Sequence, residues 1–224
     1  MPADLWMRWN FDPFLIAGLV AAAVVGRAFR ARMVPLAAAL AILTVLFVSP
    51  FCALASSLFA IRVTHHIVLT SLAAPLLAMA LPRTGGPVAA WTAVHAVVFW
   101  TWHAPSAYAF ALASDGGYWL MQATLLGSAI GLWSAVRGAS RSSALAGLLA
   151  TMVQMGLLGA LLTFASVPLY AWHATTTQGW GLLPLADQQL AGLIMWVVGG
   201  AIYLAAALRI ASGWFDRSHR LAPA

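Results

Sequence analysis

Of the 224 residues, 63% are hydrophobic and only 7% charged, against roughly 25% charged in an ordinary soluble domain, so a water-soluble globule is excluded. The bilayer is the solvent that suits such a chain, and long apolar runs without period-two alternation predict helices rather than a barrel. The net charge of +6 comes from arginines scattered between apolar segments; they form no basic face for nucleic acid, but they do form the pattern that orients a membrane protein.

The predicted fold class is all-α integral membrane: one polytopic domain over 1–224, with seven transmembrane helices, N-terminus outside and C-terminus inside. At about 20 apolar residues per crossing, the spans fall at about 14–29, 34–55, 65–81, 87–103, 118–136, 144–165 and 188–210. The start carries sparse positive charge, and Arg27, Arg30 and Arg32 follow the first apolar stretch. That pattern reads as a signal-anchor with its N-terminus outside. Pro50 is a kink point near the end of the second span. Between Met33 and Leu81 the only formal charge is Arg62. The run is too long for one span, which places a tight crossing at about Ser56 to Thr64. Turns follow at Pro82 to Pro87, Ser114 to Gly117 and Arg137 to Ser143.

With this topology Arg27, Arg30, Arg32, Arg83, Arg137, Arg141, Arg209, Arg217 and Arg220 lie inside, and only Arg8 and Arg62 outside. An even number of spans would put the C-terminal arginines on the wrong face. The chain contains Arg but no Lys, and Asp but no Glu, a bias that fits a GC-rich bacterial genome and hence a bacterial cytoplasmic membrane.

Topology gathers the polar side chains at one level. His65 and His66 sit at the outer end of the third span, His103 at the outer end of the fourth, and Gln122 near the outer end of the fifth. His173 lies in the following outer loop, and Asp187 and Gln188 open the seventh span from the same side. Ionisable groups at this depth are expensive and tend to mark function. Imidazole suits copper, zinc, iron and nickel, and costs less to bury than a carboxylate. Hydrogen bonding at the interface accounts for any single histidine equally well. Asp187 is read either as a helix cap or as a functional group. His95, nearer the midplane, is a packing residue or one axial ligand of a haem. His219 is a solvated tail residue, and Cys52 a small core residue. Gly127, Gly131, Gly192, Gly199 and Gly200 permit close helix contact.

Three stretches resemble the CtaG family of cytochrome c oxidase assembly factors. The first is His65-His66 with Ile67-Val68-Leu69 and Ala74-Pro75-Leu76-Leu77. The second is Trp102-His103-Ala104-Pro105-Ser106-Ala107-Tyr108. The third joins Leu157 to Phe164, Pro168-Leu169-Tyr170 and Asp187-Gln188-Gln189-Leu190-Ala191-Gly192-Leu193-Ile194-Met195-Trp196. The resemblance runs from about residue 60 to 205. It implies a multi-span fold and a role in maturing a haem-copper oxidase by supporting copper delivery. It carries over to His66, His103, Asp187 and Gln188. The chain departs from the family pattern: Arg62 stands where a histidine is common, His65 where Gln is common, and Met121-Gln122 where Glu-His is common.

The expectation is therefore a non-enzymatic membrane assembly factor. Cu(I) would bind transiently near the outer face to His66 and His103, with His65 and His173, while Asp187, Gln188 and Gln122 support the ligands from behind. The expected partners are cytochrome c oxidase subunits, a periplasmic copper donor and the lipid bilayer. A membrane haem protein, and a metal-free scaffold or accessory subunit of a respiratory complex, are the alternatives.

Overall fold

The computed structural model describes residues 2–83 and 85–221, with side chains described as far as Gly213. Thr84, in the expected Pro82–Pro87 turn, and the side chains of Arg217, His219 and Arg220 lie outside the described residues. The regular structure is helical, and no strand occurs among the described residues. The helices are α1 (Pro13–Ala28), α2 (Met33–Phe47), α3 (Phe51–Ser57), α4 (Phe59–Ala80), α5 (Val88–His103), α6 (Pro105–Ala113), α7 (Asp115–Gly138), α8 (Arg141–Thr163) and α9, which begins at Pro184 and runs to Leu221.

Local chemistry sets the starts. Asp12 accepts the Leu15 N–H at 2.9 Å, with Pro13 in the first helical position of α1. Ser114 accepts the Gly117 N–H at 3.1 Å to open α7, and Ser140 accepts the Ser143 N–H at 3.3 Å to open α8. Side-chain oxygens of this kind satisfy N–H groups that have no partner within the helix. Pro105 and Pro184 open α6 and α9, where the missing proline N–H costs nothing. Pro105 also ends α5, because the residue before a proline avoids the helical region; Ala104 is extended, at φ −69° and ψ 131°.

Burial is inverted relative to a soluble protein. Phe14, Val34, Val153, Leu157, Leu161 and Val197 are exposed, while Arg62, His65, His66, His103, Gln122, Asp187 and Gln188 are buried. Only an apolar surround makes that distribution favourable. Four helices are long and apolar enough to cross a membrane: α4, α7, α8 and Pro184–Gly213 of α9. The pair α2 and α3, bent by 50°, makes five if counted as one span. The bend falls at Ser49-Pro50, the expected kink. The first and fourth expected spans correspond to α1 and α5, each of 16 residues.

The tight crossing expected at Ser56 to Thr64 contracts to a single residue. α3 ends at Ser57 and α4 begins at Phe59, with only Leu58 extended between them. The third expected span thus starts six residues before His65. Its early start has a physical cause, a carboxylate from α9, described below. Arg62, expected on the outer side, is 1% exposed and enclosed by the bundle. α4 widens into π turns at Leu69–Ala73, just ahead of Pro75, which lacks the N–H an α-helix would use there. α9 widens likewise at Met195–Gly199.

α8 and α9 cross most closely at two glycines. A methyl group placed on Gly192 would lie 2.5 Å from the Gly159 carbonyl oxygen, and one on Gly159 would lie 2.8 Å from that of Gly192. Gly131 lies beneath the Trp91 ring and Gly199 beneath Met155, whereas Gly127 faces open space. At the two ends of α7 the surroundings differ. Arg83, Gly138 and Ser140 line a pocket at one end; Arg62, Asp115 and Tyr118 line another at the opposite end.

Candidate functional site

The site is built on the first turns of α4. Phe59 and Ala60 are the first residues of that helix, and their N–H groups have no partner within it. The Asp187 carboxylate, from the first turn of α9, accepts both, at 2.6 Å from Phe59 and 3.1 Å from Ala60. Leu58, the residue before the helix, has no side-chain oxygen to offer. Asp187 is thus a helix cap, but for α4 and across a separation of 128 residues. A carboxylate at a helix N-terminus also meets the positive end of the helix dipole. Gln188 secures the neighbouring loop: its Oε1 accepts the Leu169 N–H at 2.6 Å, and its Nε2 reaches the Val167 carbonyl at 3.4 Å.

One turn along α4 come Arg62, His65 and His66. The His65 ring stands edge-on to Phe47, 5.0 Å between centres, and parallel to Phe51 at 6.1 Å. The His66 ring lies 5.9 Å from His65 and 5.9 Å from His103. All three imidazoles are buried. Neither ring nitrogen of His66 has a hydrogen-bond partner, whereas His65 is set against the Leu46 backbone. His103 Nδ1 lies 2.7 Å from the Phe99 carbonyl, which can only accept. Nδ1 therefore carries the proton, and Nε2 keeps its lone pair. Buried polar atoms normally find partners, so the two open nitrogens of His66 beside the lone pair of His103 are an unusual feature of the bundle.

The other expected site residues separate from this group. His173 is held in an aromatic cap with Tyr108, Tyr170 and Phe59. Its Nε2 lies 2.8 Å from the Tyr108 hydroxyl, and its Nδ1 lies 3.3 Å from the Ser57 carbonyl and 3.2 Å from Thr176 Oγ1. The carbonyl fixes Nδ1 as the protonated nitrogen, so Nε2 accepts from Tyr108 and neither nitrogen is left free. Burial pushes the His173 imidazole down to about 4; the Ser57 carbonyl acts in the opposite sense, and the charge of Arg62 adds to the lowering. Tyr170 donates to the His103 carbonyl at 2.7 Å, tying this cap to the end of α5. Gln122 is buried with neither amide atom partnered. His95 pairs with Ser128 Oγ at 2.9 Å, roughly 12 Å below His103 along α5.

Among the described residues, no group of three or more His, Cys, Asp or Glu side chains is arranged to hold a metal. The arrangement is a pair, His66 and His103, with His65 beside it. Sequence reasoning missed the cap of tyrosines around His173, although Tyr108 and Tyr170 stand in the motifs. It also missed the burial of Arg62, which three- and four-residue spacing to His65 and His66 could have indicated.

Residues 85–217 match the family described as cytochrome c oxidase caa3 assembly factor. The chain belongs to that family. No curated protein and no solved structure matches it. The family match takes in His103, Gln122, His173, Asp187 and Gln188, while Arg62, His65 and His66 precede it. Membership implies a role in cytochrome c oxidase assembly, and so an interaction with the oxidase. It agrees with helices apolar enough to lie in a membrane.

Proposed function

We propose that this caa3 assembly factor is a non-enzymatic carrier of copper, which it passes to the oxidase from the His66–His103 pair. The carrying observation is the separation of the two rings. A metal–nitrogen bond of about 2 Å on each side puts the centres of two imidazoles that share one ion roughly 6 Å apart, and the rings stand at 5.9 Å. Cuprous ion is the fitting substrate, since it accepts two neutral nitrogen ligands and leaves no net anion to bury. His66 would offer either nitrogen and His103 its Nε2. His65 is a third imidazole within reach of His66 for handing the ion on. Low coordination favours release, which a donor needs.

On this reading the protein spans a bacterial cytoplasmic membrane seven times, with α1 and α5 as short spans, N-terminus outside and C-terminus inside. The segregation of Arg83 and Arg137 from the histidine-bearing end supports that orientation. A periplasmic copper donor would then load the pair, and an oxidase subunit would unload it.

The test is deletion of the gene in a copper-limited strain, with oxidase activity and oxidase copper content measured together. Both should fall while the oxidase subunits persist, and added copper should restore part of the activity. Normal copper content with failed oxidase assembly would instead support a metal-free scaffold. A Soret band in the purified protein would support the haem reading.

A further inference from the structure

Beyond copper, the histidine-bearing end carries a pocket of about 430 Å³ whose walls include Arg62, Cys52, Ser56, Tyr118, Asp12 and Asp115. We propose that this pocket binds a small monocarboxylate on the Arg62 guanidinium. Arg62 is 1% exposed. Its Nη2 reaches Ser56 Oγ at 3.2 Å, and its guanidinium carbon lies 5.3 Å from the centre of the Tyr118 ring. The Tyr108 and Tyr118 hydroxyls stand beside the guanidinium as hydrogen-bond partners, and no carboxylate accepts from it among the described residues. A guanidinium does not shed its proton, and a buried charge without a counter-ion is strongly unfavourable. The group is therefore a fixed cation with no carboxylate partner among the described residues, set in the wall of a cavity.

The acids of the pocket do not meet that need. Asp12 and Asp115 are both exposed, and Asp12 is engaged with the Leu15 N–H. Neither accepts from Nε or Nη1. Their charges at the rim select against an anion carrying two charges, which leaves a singly charged oxyanion as the fitting ligand. The Tyr118 hydroxyl stands in the same wall, whereas the Ser56 hydroxyl already donates to the Cys52 carbonyl at 3.2 Å. Arg62 lies one turn from His66, so its charge also opposes entry of a bare cation by this route. The inference does not depend on the copper reading.

Cys52 is the sole cysteine and stands in the pocket wall, its sulfur 3.7 Å from the Tyr118 hydroxyl, so it serves as the reporter. The full chain in detergent is treated with two methanethiosulfonates of similar size, one bearing a sulfonate and the other a trimethylammonium group. The sulfonate reagent should modify Cys52 about tenfold faster, as expected where a fixed charge concentrates its counter-ion. Acetate should slow that reaction, and chloride at the same ionic strength should not. Arg62→Gln should reverse the preference, since Asp12 and Asp115 remain. Should that variant fail to fold, Asp115→Asn should fold and raise the rate with the sulfonate reagent. Equal rates with the two reagents, equal effects of acetate and chloride, or no reaction with either reagent would each overturn the proposal.

Discussion

The His66 and His103 rings face each other at 84°, 5.9 Å apart, from two different helices. Each is placed by an interaction outside its own ring. His66 rides on α4, whose start is fixed by Asp187. His103 ends α5, where its carbonyl accepts from Tyr170 and its Nδ1 is held against the Phe99 carbonyl. The pair is thus supported by α9 and by the loop before it, segments that contribute no imidazole to it.

The first prediction concerns the pair itself. His66→Ala and His103→Ala should each lower the copper affinity of anaerobically purified protein by about tenfold or more, since loss of even a supporting group costs 10–100-fold at metal sites. Each variant should still reach the membrane, because neither ring nitrogen of His66 is tied to a structural partner and the one bond of the His103 ring stays within its own helix, to Phe99. His173→Ala should leave the affinity unchanged, as both its nitrogens are engaged elsewhere. Metal analysis of the four proteins side by side decides the matter; copper retained at wild-type level in both His66→Ala and His103→Ala would remove the pair from consideration.

The second prediction separates the charge of Asp187 from its geometry. Asp187→Ala leaves two buried N–H groups at the start of α4 without an acceptor, at a cost of about 2–4 kcal/mol if each contributes 1–2. Asp187→Asn keeps one oxygen and should cost about 1 kcal/mol. Thermal unfolding in detergent should rank them wild type, Asn, Ala. Equal midpoints for the Asn and Ala variants would show that the carboxylate does not cap α4.

The third prediction rests on the crossing of α8 and α9. Gly192→Val puts a branched side chain where even a methyl would lie 2.5 Å from the Gly159 oxygen and 2.6 Å from the Thr163 nitrogen. Because backbone atoms yield less than side-chain tips, the cost should reach the upper part of the usual overpacking range, about 3 kcal/mol. Gly127→Val meets open space and should be near neutral. The level of folded protein in membranes, measured by size-exclusion chromatography after extraction, checks the contrast.

Much of the fold was legible because its signals are local. Apolar run length located α7 and α8 within a few residues, and Ser114, Ser140 and Pro105 marked boundaries through their own chemistry. The contraction of the break at Ser56 to Thr64 to Leu58 alone has a nonlocal cause. A longer break was expected there because the run from Met33 to Leu81 exceeds one span and no local signal places the helix start at Phe59. The acceptor comes from Asp187 instead, and no local rule reveals a cap donated across 128 residues. The histidines show the same division. Their common depth followed from topology, but whether each ring nitrogen was already engaged depended on Tyr108, Ser57 and Thr176, which only the folded chain brings to His173.

The last prediction is a pH dependence assigned to His173. In the fold its imidazole is lowered to about 4 from an ordinary 6.5, so the unfolded chain binds the proton more readily. Between these values the unfolded state holds more protons than the folded one, and stability rises with pH. The contribution is therefore complete above pH 6.5 and is lost as the pH falls towards 4. Its full size is on the order of 3 kcal/mol, from about 1.4 kcal/mol per pH unit of displacement. His173→Gln retains a donor for the Ser57 carbonyl and an acceptor for Tyr108 but does not titrate. The variant should be somewhat less stable than wild type at pH 7 and should lose less on acidification. Unfolding midpoints for both proteins, measured from pH 7 to pH 4, should converge as the pH falls. The comparison isolates His173, because every other titrating group is common to the two proteins. Curves that stay parallel across that window would show that His173 is not the neutral, doubly bonded imidazole that joins Tyr108 to the end of α3.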